Sequence, residues 1–268
     1  MNIGFIGAGR MATALAKGCA RAGLVQAKSV LASDPSEDAR QRFARDVPGA
    51  KAVAANAAVL AGADTIVLAV KPQVMAKALA DIRASIEPRH LVVSIAAGVT
   101  LARLADGLPA KTRLVRVMPN TPCLIGQGVS CFSRGPTASK DDAVVVRQLL
   151  TSVGAAYEVD ESQLDAVTGL SGSGPAFVYT VIEALAEGGA AMGLPAELAL
   201  DLAARTALGA ASMVLETRLS PAELRDQVTS PGGTTLAGLE ALRRDGAPAA
   251  LRAAVEAATK RSAELGRG

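Results

Sequence analysis

Short apolar runs recur through the first part of the chain, and each gives way to a stretch where apolar residues return every three or four positions. Residues 2–7 (NIGFIG), 29–34 (SVLASD), 65–70 (TIVLAV), 91–98 (LVVSIAAG) and 113–120 (RLVRVMPN) read as strands. Between them lie amphipathic stretches such as 72–86 (PQVMAKALADIRASI), and Met11, Leu15 and Cys19 fall at helical spacing after the first strand. Apolar strands alternating with amphipathic helices predict βαβ units and a parallel sheet covered on both faces. From about residue 161 the strand signals end. PAFVYTVIEALAEGGAAMGL and PAELALDLAARTALGAASMVLE read as long helices, apolar on several faces. Such helices cannot all face water, and burying them calls for a second subunit, so an interlocked homodimer is expected. Ser220, Pro221 and Glu223 form a capping box at a helix start, and Gly246 closes a later helix.

Gly7-Ala8-Gly9-Arg10-Met11-Ala12 fits the pattern Gly-x-Gly-x-x-Gly/Ala, directly after the first strand and opening the first helix. There Gly7 permits the tight turn, Gly9 lets backbone approach a pyrophosphate, and Ala12 keeps helix and strand close. The helix N-terminus adds free N–H groups and a positive dipole end. The predicted fold is therefore α/β: a Rossmann-like dinucleotide-binding domain over residues 1–160, followed by an all-α domain over 161–268. Ligands of doubly wound sheets sit beyond the carboxyl ends of the strands. Those ends carry Ser33-Asp34, Asn56, Lys71-Pro72, Ala96-Ala97-Gly98 and Asn120. The small residues of AVKP and AAG leave room for a nicotinamide ring, and Lys71 is placed to reach a ribose or phosphate. His90, the only histidine, precedes the 91–98 strand and belongs at the opposite rim, in a structural or exposed role. No imidazole acid is expected at the site.

Half of the residues are apolar and a fifth are charged, and the net charge is +3. A charge this small and unclustered, with no Trp, two Tyr and four Phe, does not make a nucleic-acid surface. Cys19, Cys123 and Cys131 have no metal-like spacing and read as reduced thiols of a cytoplasmic protein, with no metal site. The N-terminus lacks the features of a signal peptide, and no apolar run reaches the roughly 18 residues of a membrane span.

Two glycine-rich segments of the second half stand out: Ser171-Gly172-Ser173-Gly174-Pro175, with Pro175 at a first helical position, and Ser230-Pro231-Gly232-Gly233-Thr234-Thr235. Each is expected to present hydroxyls and bare amides at a helix N-terminus, a combination that binds anions. Ordinary capping explains one hydroxyl but not two adjacent glycines.

The motifs IGFIGAGRMA, AVKP, SIAAGVT, MPNTP, AVTGLSGSGPAFVY and VTSPGGTTL resemble, in order, those of the pyrroline-5-carboxylate reductase family, over residues 2 to about 265. The resemblance implies reduction of the C=N bond of 1-pyrroline-5-carboxylate to L-proline by NADPH or NADH, the last step of proline synthesis. It places dinucleotide contacts on Ile6, Gly7, Ala8, Gly9, Arg10, Met11, Ser33, Asp34, Asn56, Ala69, Val70, Lys71, Pro72, Ile95, Ala96 and Ala97. It places the substrate on Gly232, Gly233, Thr234 and Thr235, with Ser171 to Pro175 beside them, and assigns the catalytic role to Thr235. It also implies dimers assembled into a decamer. NADPH is the family's default, yet Asp34 repels a 2′-phosphate and suits the 2′-hydroxyl of NADH, and Arg40 compensates if its helix turns it inward. Two competitors remain: a β-hydroxyacid dehydrogenase, disfavoured because residues 161–200 contain no lysine, and a nucleotide sensor, which has no need of both glycine-rich segments.

Overall fold

The computed structural model describes residues 1–267. The chain divides into two compact units, residues 1–173 together with 257 onward, and residues 174–256. The first unit is built on one eight-stranded sheet: β1 (Ile3–Ile6), β2 (Val30–Ser33), β3 (Lys51–Val53), β4 (Thr65–Leu68), β5 (Leu91–Ser94), β6 (Arg113–Met118), β7 (Gly128–Arg134) and β8 (Gly154–Glu158). Their order across the sheet is β3-β2-β1-β4-β5-β6-β7-β8. The helices of this unit are α1 (Arg10–Arg21), α2 (Glu37–Asp46), α3 (Asn56–Gly62), α4 (Met75–Ile82), α5 (Leu101–Gly107), α6 (Lys140–Thr151) and α7 (Leu164–Val167).

Residues of each central strand alternate between two apolar clusters. Ile3, Phe5, Val67 and Val93 belong to one, and Ile6, Ile66, Leu68 and Val92 to the other. A strand buried on both faces is predominantly apolar, which is why these runs were legible. Each fully buried side chain of this size contributes roughly 1.5–3 kcal/mol. Parallel pairing puts Ile6 level with Ser33 and Leu68, and Leu68 level with Ser94, so the strand ends form one rim. The order reverses direction between β1 and β4, making that point of the rim the switch where ligands bind.

The sheet is not wholly parallel, as the apolar runs alone suggested. β7 runs antiparallel to β6, and β8 is parallel to β7. Residues 119–127, which link β6 to β7, hold only a 3₁₀ turn (Thr121–Ile125). A link that short and without a full helix cannot make a parallel crossover, so the chain folds back.

The compact units meet at residues 173 and 257. Residues 161–173 are tied to the sheet. Glu161 accepts hydrogen bonds from the Leu101 N–H (2.7 Å) and from Arg116 Nη1 (3.1 Å), and Arg116 is 5% exposed in β6. Asp165 accepts from Ser262 Oγ at 2.7 Å, which fastens the end of the last helix to the same unit.

The second unit is helical: α8 (Gly174–Ala191), α9 (Ala196–Thr217), α10 (Pro221–Gln227), α11 (Thr234–Arg244) and the first part of α12 (Ala247–Arg267). The Ser220–Glu223 capping box is present, and Gly246 adopts φ +78° just beyond α11. No residue of α8 is buried, and in α9 only Ala199 and Ala203 are. Met192, Leu208 and Leu215 are 84%, 69% and 79% exposed. α9 is long and apolar enough to cross a membrane by length and composition, although it holds no uninterrupted apolar run of that length. Glu197, Asp201 and Arg205 interrupt that run, and Arg205 pairs with Asp201 at 2.9 Å.

Candidate functional site

The turn from β1 into α1 has the geometry its glycines promise. Gly7 adopts φ +101°, and a Cβ there meets the Ala69 carbonyl oxygen at 2.7 Å. Gly9 is the N-cap of α1, with no side-chain cap, and a Cβ there meets nothing within 4 Å. The N–H groups of Gly9, Arg10, Met11 and Ala12 have no partner among the described residues. Four free amides at a helix N-terminus, with open space over Gly9, fit a pyrophosphate. Ala12 is fully buried, as a close helix–strand contact requires.

Ala8 differs. Its N–H donates to Asp34 Oδ2 at 3.0 Å, so it is committed to the protein. Asp34 Oδ1 accepts from the Ser36 N–H at 2.9 Å. The N-cap of α2 is Ser36, not Asp34. Arg40 is turned inward: its Nη1 donates to the carbonyls of Asp34 (2.8 Å) and Pro35 (3.0 Å). The end of β2 thus carries an anion fixed by two backbone amides, with a cation across the same corner.

Ser33 Oγ donates to Asn56 Oδ1 at 2.5 Å, and Asn56 Nδ2 donates to Asp81 Oδ2 at 2.7 Å, which fixes Asn56 at the start of α3. Ala69, Val70 and Ile95 are half-buried, Ala96 is buried, and Ala97, Lys71 and Pro72 are exposed, all just past the ends of β4 and β5. His90 lies at the other end of the sheet. It is 1% exposed, its Nδ1 accepts from the Glu87 N–H at 2.8 Å, and its Nε2 meets the Leu60 carbonyl at 3.0 Å. It is a structural histidine.

In the second unit, Ser230 to Gly233 form a tight turn. Gly233 N–H donates to the Ser230 carbonyl at 2.9 Å, Pro231 and Gly232 are the corner residues, and Gly232 has φ +71°. Proline then glycine with positive φ is the sequence of a type II turn. Gly233 is the N-cap of α11 and gives no side-chain cap. Its own N–H, expected to be open, is used in the turn. Among the described residues, the open donors are the N–H groups of Thr234, Thr235 and Leu236, and neither threonine hydroxyl has a hydrogen bond. The two glycines therefore do different work: one makes the turn, the other leaves the helix mouth uncapped.

The Ser171-Gly172-Ser173-Gly174-Pro175 segment is not a loop before a helix start. Residues 164–167 are α-helical, Thr168–Gly172 form a π turn, and Ser173 keeps helical angles (φ −86°, ψ −23°) into α8. Ser173 N–H donates to the Thr168 carbonyl, and Ser171 Oγ donates to the Val167 carbonyl. The segment is a bend within a continuous helical path, and Pro175 causes part of it by withholding an N–H.

The sequence pattern gave no role to Arg116, one of two arginines in β6, and placed Asn120 on the ligand rim without a task. Asn120 is 8% exposed at the end of β6, where its Nδ2 donates to the Ser171 carbonyl and its Oδ1 accepts from the Val129 N–H. Its place at a strand's carboxyl end was legible; its partners Ser171 and Val129 are tertiary contacts.

Residues 161–265 match the family described as pyrroline-5-carboxylate reductase dimerisation, and residues 2–98 match the family described as NADP oxidoreductase coenzyme F420-dependent. The chain is 46% identical to pyrroline-5-carboxylate reductase 3 of Rattus norvegicus over 98% of this chain and 96% of the relative. It is 44% identical to the pyrroline-5-carboxylate reductase of Methanosarcina acetivorans over 99% and 98% of the two chains. Among solved structures, the Coxiella burnetii pyrroline-5-carboxylate reductase superposes with a TM-score of 0.91 at 34% identity, covering 98% of each chain. The Plasmodium falciparum pyrroline carboxylate reductase with NADP bound gives 0.89 at 32%, covering 99% of this chain and 98% of the other. Motif order, sheet topology and near-full-length identity agree: the chain belongs to the pyrroline-5-carboxylate reductase family.

Proposed function

We propose that this chain reduces the C=N bond of 1-pyrroline-5-carboxylate to L-proline with a reduced nicotinamide nucleotide, as the last step of proline biosynthesis. The observation that carries the substrate half of this reading is the mouth of α11, where three backbone N–H groups and two threonine hydroxyls are unpaired. That donor set suits a carboxylate. The nucleotide half rests on the amides of Gly9 to Ala12 and the open space over Gly9.

When bound, the reduced nicotinamide supplies a hydride to the C=N carbon, C2 of the pyrroline ring, on the side of the nitrogen away from the carboxylate-bearing C5. The chain's own residues bind and orient. The amides after Gly7 hold the pyrophosphate, Asn56 and Lys71 line the ribose and phosphate path, and Ala69, Val70, Pro72, Ile95, Ala96 and Ala97 leave room for the ring. Thr234, Thr235 and Leu236 hold the substrate carboxylate by their N–H groups, with Gly232 and Gly233 shaping the turn and Ser171 to Pro175 bordering the imine. The Thr235 hydroxyl holds the ring nitrogen. A cyclic imine is basic enough to carry its proton near neutral pH, so positioning supplies most of the rate gain.

NADH is the favoured nucleotide and NADPH is accepted. Asp34 suits a 2′-hydroxyl, while Arg40, with Nη1 engaged, keeps its remaining donors for a 2′-phosphate. The exposed apolar faces of α8 and α9 are covered by a second copy of the chain, and dimers assemble into a decamer. Residues 161–268 then form the substrate-binding and dimerisation domain, against a nucleotide-binding domain over 1–160. Three buried, unbridged cysteines suit a reducing cytoplasm.

The test is oxidation of NADH and NADPH by the purified protein, with 1-pyrroline-5-carboxylate against a small 2-hydroxy acid run in reverse with NAD⁺. The proposal expects turnover with the imine alone and L-proline as product. Turnover of the hydroxy acid alone overturns it.

A further inference from the structure

We infer that Asn120 is a positioning residue for imine reduction, acting through the bend at Ser171; this rests on the reading that residues 171–175 border the substrate. In an α-helix the N–H of residue 175 serves the carbonyl of residue 171. Here residue 175 is proline, which has no N–H. The Ser171 carbonyl instead accepts from Asn120 Nδ2 at 3.2 Å. Asn120 is itself held, because its Oδ1 accepts from the Val129 N–H at 2.9 Å, and its side chain is almost wholly shielded from solvent. Its two bonds thus link the start of β7 to the π turn.

A second contact acts on the same turn. A Cβ on Gly172 meets Met118 Cε at 2.3 Å, so the last residue of β6 packs directly against the glycine next to Ser171. Met118 limits how closely the turn approaches, and Asn120 supplies the directional bond. Both side chains come from the end of β6, and Met118 is level with Cys131 of β7. The end of β6 belongs to the rim on which the nucleotide contacts lie. Asn120 therefore ties the π turn to the rim that carries the residues assigned to the nicotinamide. π turns occur disproportionately at functional sites, and this one is held open by a partner remote in sequence.

Asn120→Asp separates the two bonds. The carboxylate still accepts from Val129 but has no N–H for Ser171. Asn120→Ala removes both. At pH 8, both variants are expected to lose about 10- to 100-fold in kcat/KM for 1-pyrroline-5-carboxylate, with a raised KM for the imine and a dissociation constant for NADH within about twofold of the original chain. The nucleotide constant is read by fluorescence titration, which also counts competent sites. A merely structural role gives another pattern: fewer competent sites, kcat lowered in proportion, and an unchanged KM for the imine. That pattern, or an Asn120→Asp variant indistinguishable from the original chain, overturns the inference. Should Ser173→Ala and Gly174→Ala also leave the imine KM unchanged, the reading of residues 171–175 as the substrate border fails as well. Should those two raise it while Asn120→Asp does not, only the role of Asn120 fails.

Discussion

Gly7 and Gly9 lie two positions apart in one motif, yet the structure gives them opposite consequences. At Gly7 an alanine must adopt φ +101°, with its Cβ 2.7 Å from the Ala69 carbonyl oxygen. Backbone strain of that kind costs about 1–3 kcal/mol, and the clash adds to it. At Gly9 the backbone is extended (φ −77°, ψ −179°) and a Cβ meets nothing within 4 Å, so Gly9→Ala folds normally. The new methyl instead occupies the space where a pyrophosphate meets the free amides. Thermal melts with and without nucleotide separate the two effects. Near the midpoint, about 1 kcal/mol corresponds to roughly 2–4 °C for a chain approaching this size. Gly7→Ala is therefore expected to melt several degrees lower without ligand. Gly9→Ala should match the original chain without ligand and lose most of the gain from NADH. At a hundredfold excess over Kd that gain is about 2.7 kcal/mol. If Gly9→Ala keeps the full ligand-induced shift, the pyrophosphate does not sit over Gly9 and the site reading is wrong.

Other outcomes follow from the same geometry. Thr235→Ala should lower kcat/KM for the imine by about 10- to 100-fold, the value of one charge-assisted hydrogen bond, while NADH affinity stays within twofold; an unchanged kcat/KM excludes Thr235. Asp34→Ser should move the NADH-to-NADPH ratio of kcat/KM at least tenfold toward NADPH, and the further change Arg40→Ala should remove that gain. An unmoved ratio in Asp34→Ser refutes the assignment of the β2 end to the adenosine ribose. Burial pushes the thiols of Cys19, Cys123 and Cys131 up from their usual range, so less thiolate is present at any given pH. A thiol-reactive disulfide reagent at pH 8 should therefore label the folded protein slowly and the denatured protein at all three positions; fast labelling of the native chain contradicts that burial. Replacing Leu208 and Leu215 with glutamate should leave helicity intact and give a monomer by light scattering, whereas an unchanged oligomer places the interface elsewhere.

The sheet was legible where both faces of a strand are buried, because such strands are predominantly apolar, as in residues 65–68 and 91–94, whose only polar residues are the terminal Thr65 and Ser94. β3, with three half-exposed or exposed residues, and β7, whose run GVSCFSR mixes polar and apolar positions, gave no such signal. The direction of β7 depends on the short 3₁₀ link before it, which pattern reading cannot weigh. The turn at Gly7 and the mouth at Gly233 were legible because glycine answers local backbone demands. The bend at Ser171 to Pro175 was not. Serine, glycine and proline read as a loop, and the hydrogen bond from Asn120 that replaces the one Pro175 withholds is a tertiary contact. Asp34 shows the same limit: its bond to Ala8 is a tertiary contact that no local rule announces.

The central claim is that the uncapped start of α11 grips a carboxylate and so sets the imine for reduction. Its most direct test is the ratio of kcat/KM for 1-pyrroline-5-carboxylate to that for 1-pyrroline, the same ring without the acid. Two or three charge-assisted hydrogen bonds predict a ratio of at least about 100, largely kept in Thr235→Ala, which retains every backbone N–H and lowers the turnover of both rings. Equal turnover of the two rings contradicts the account.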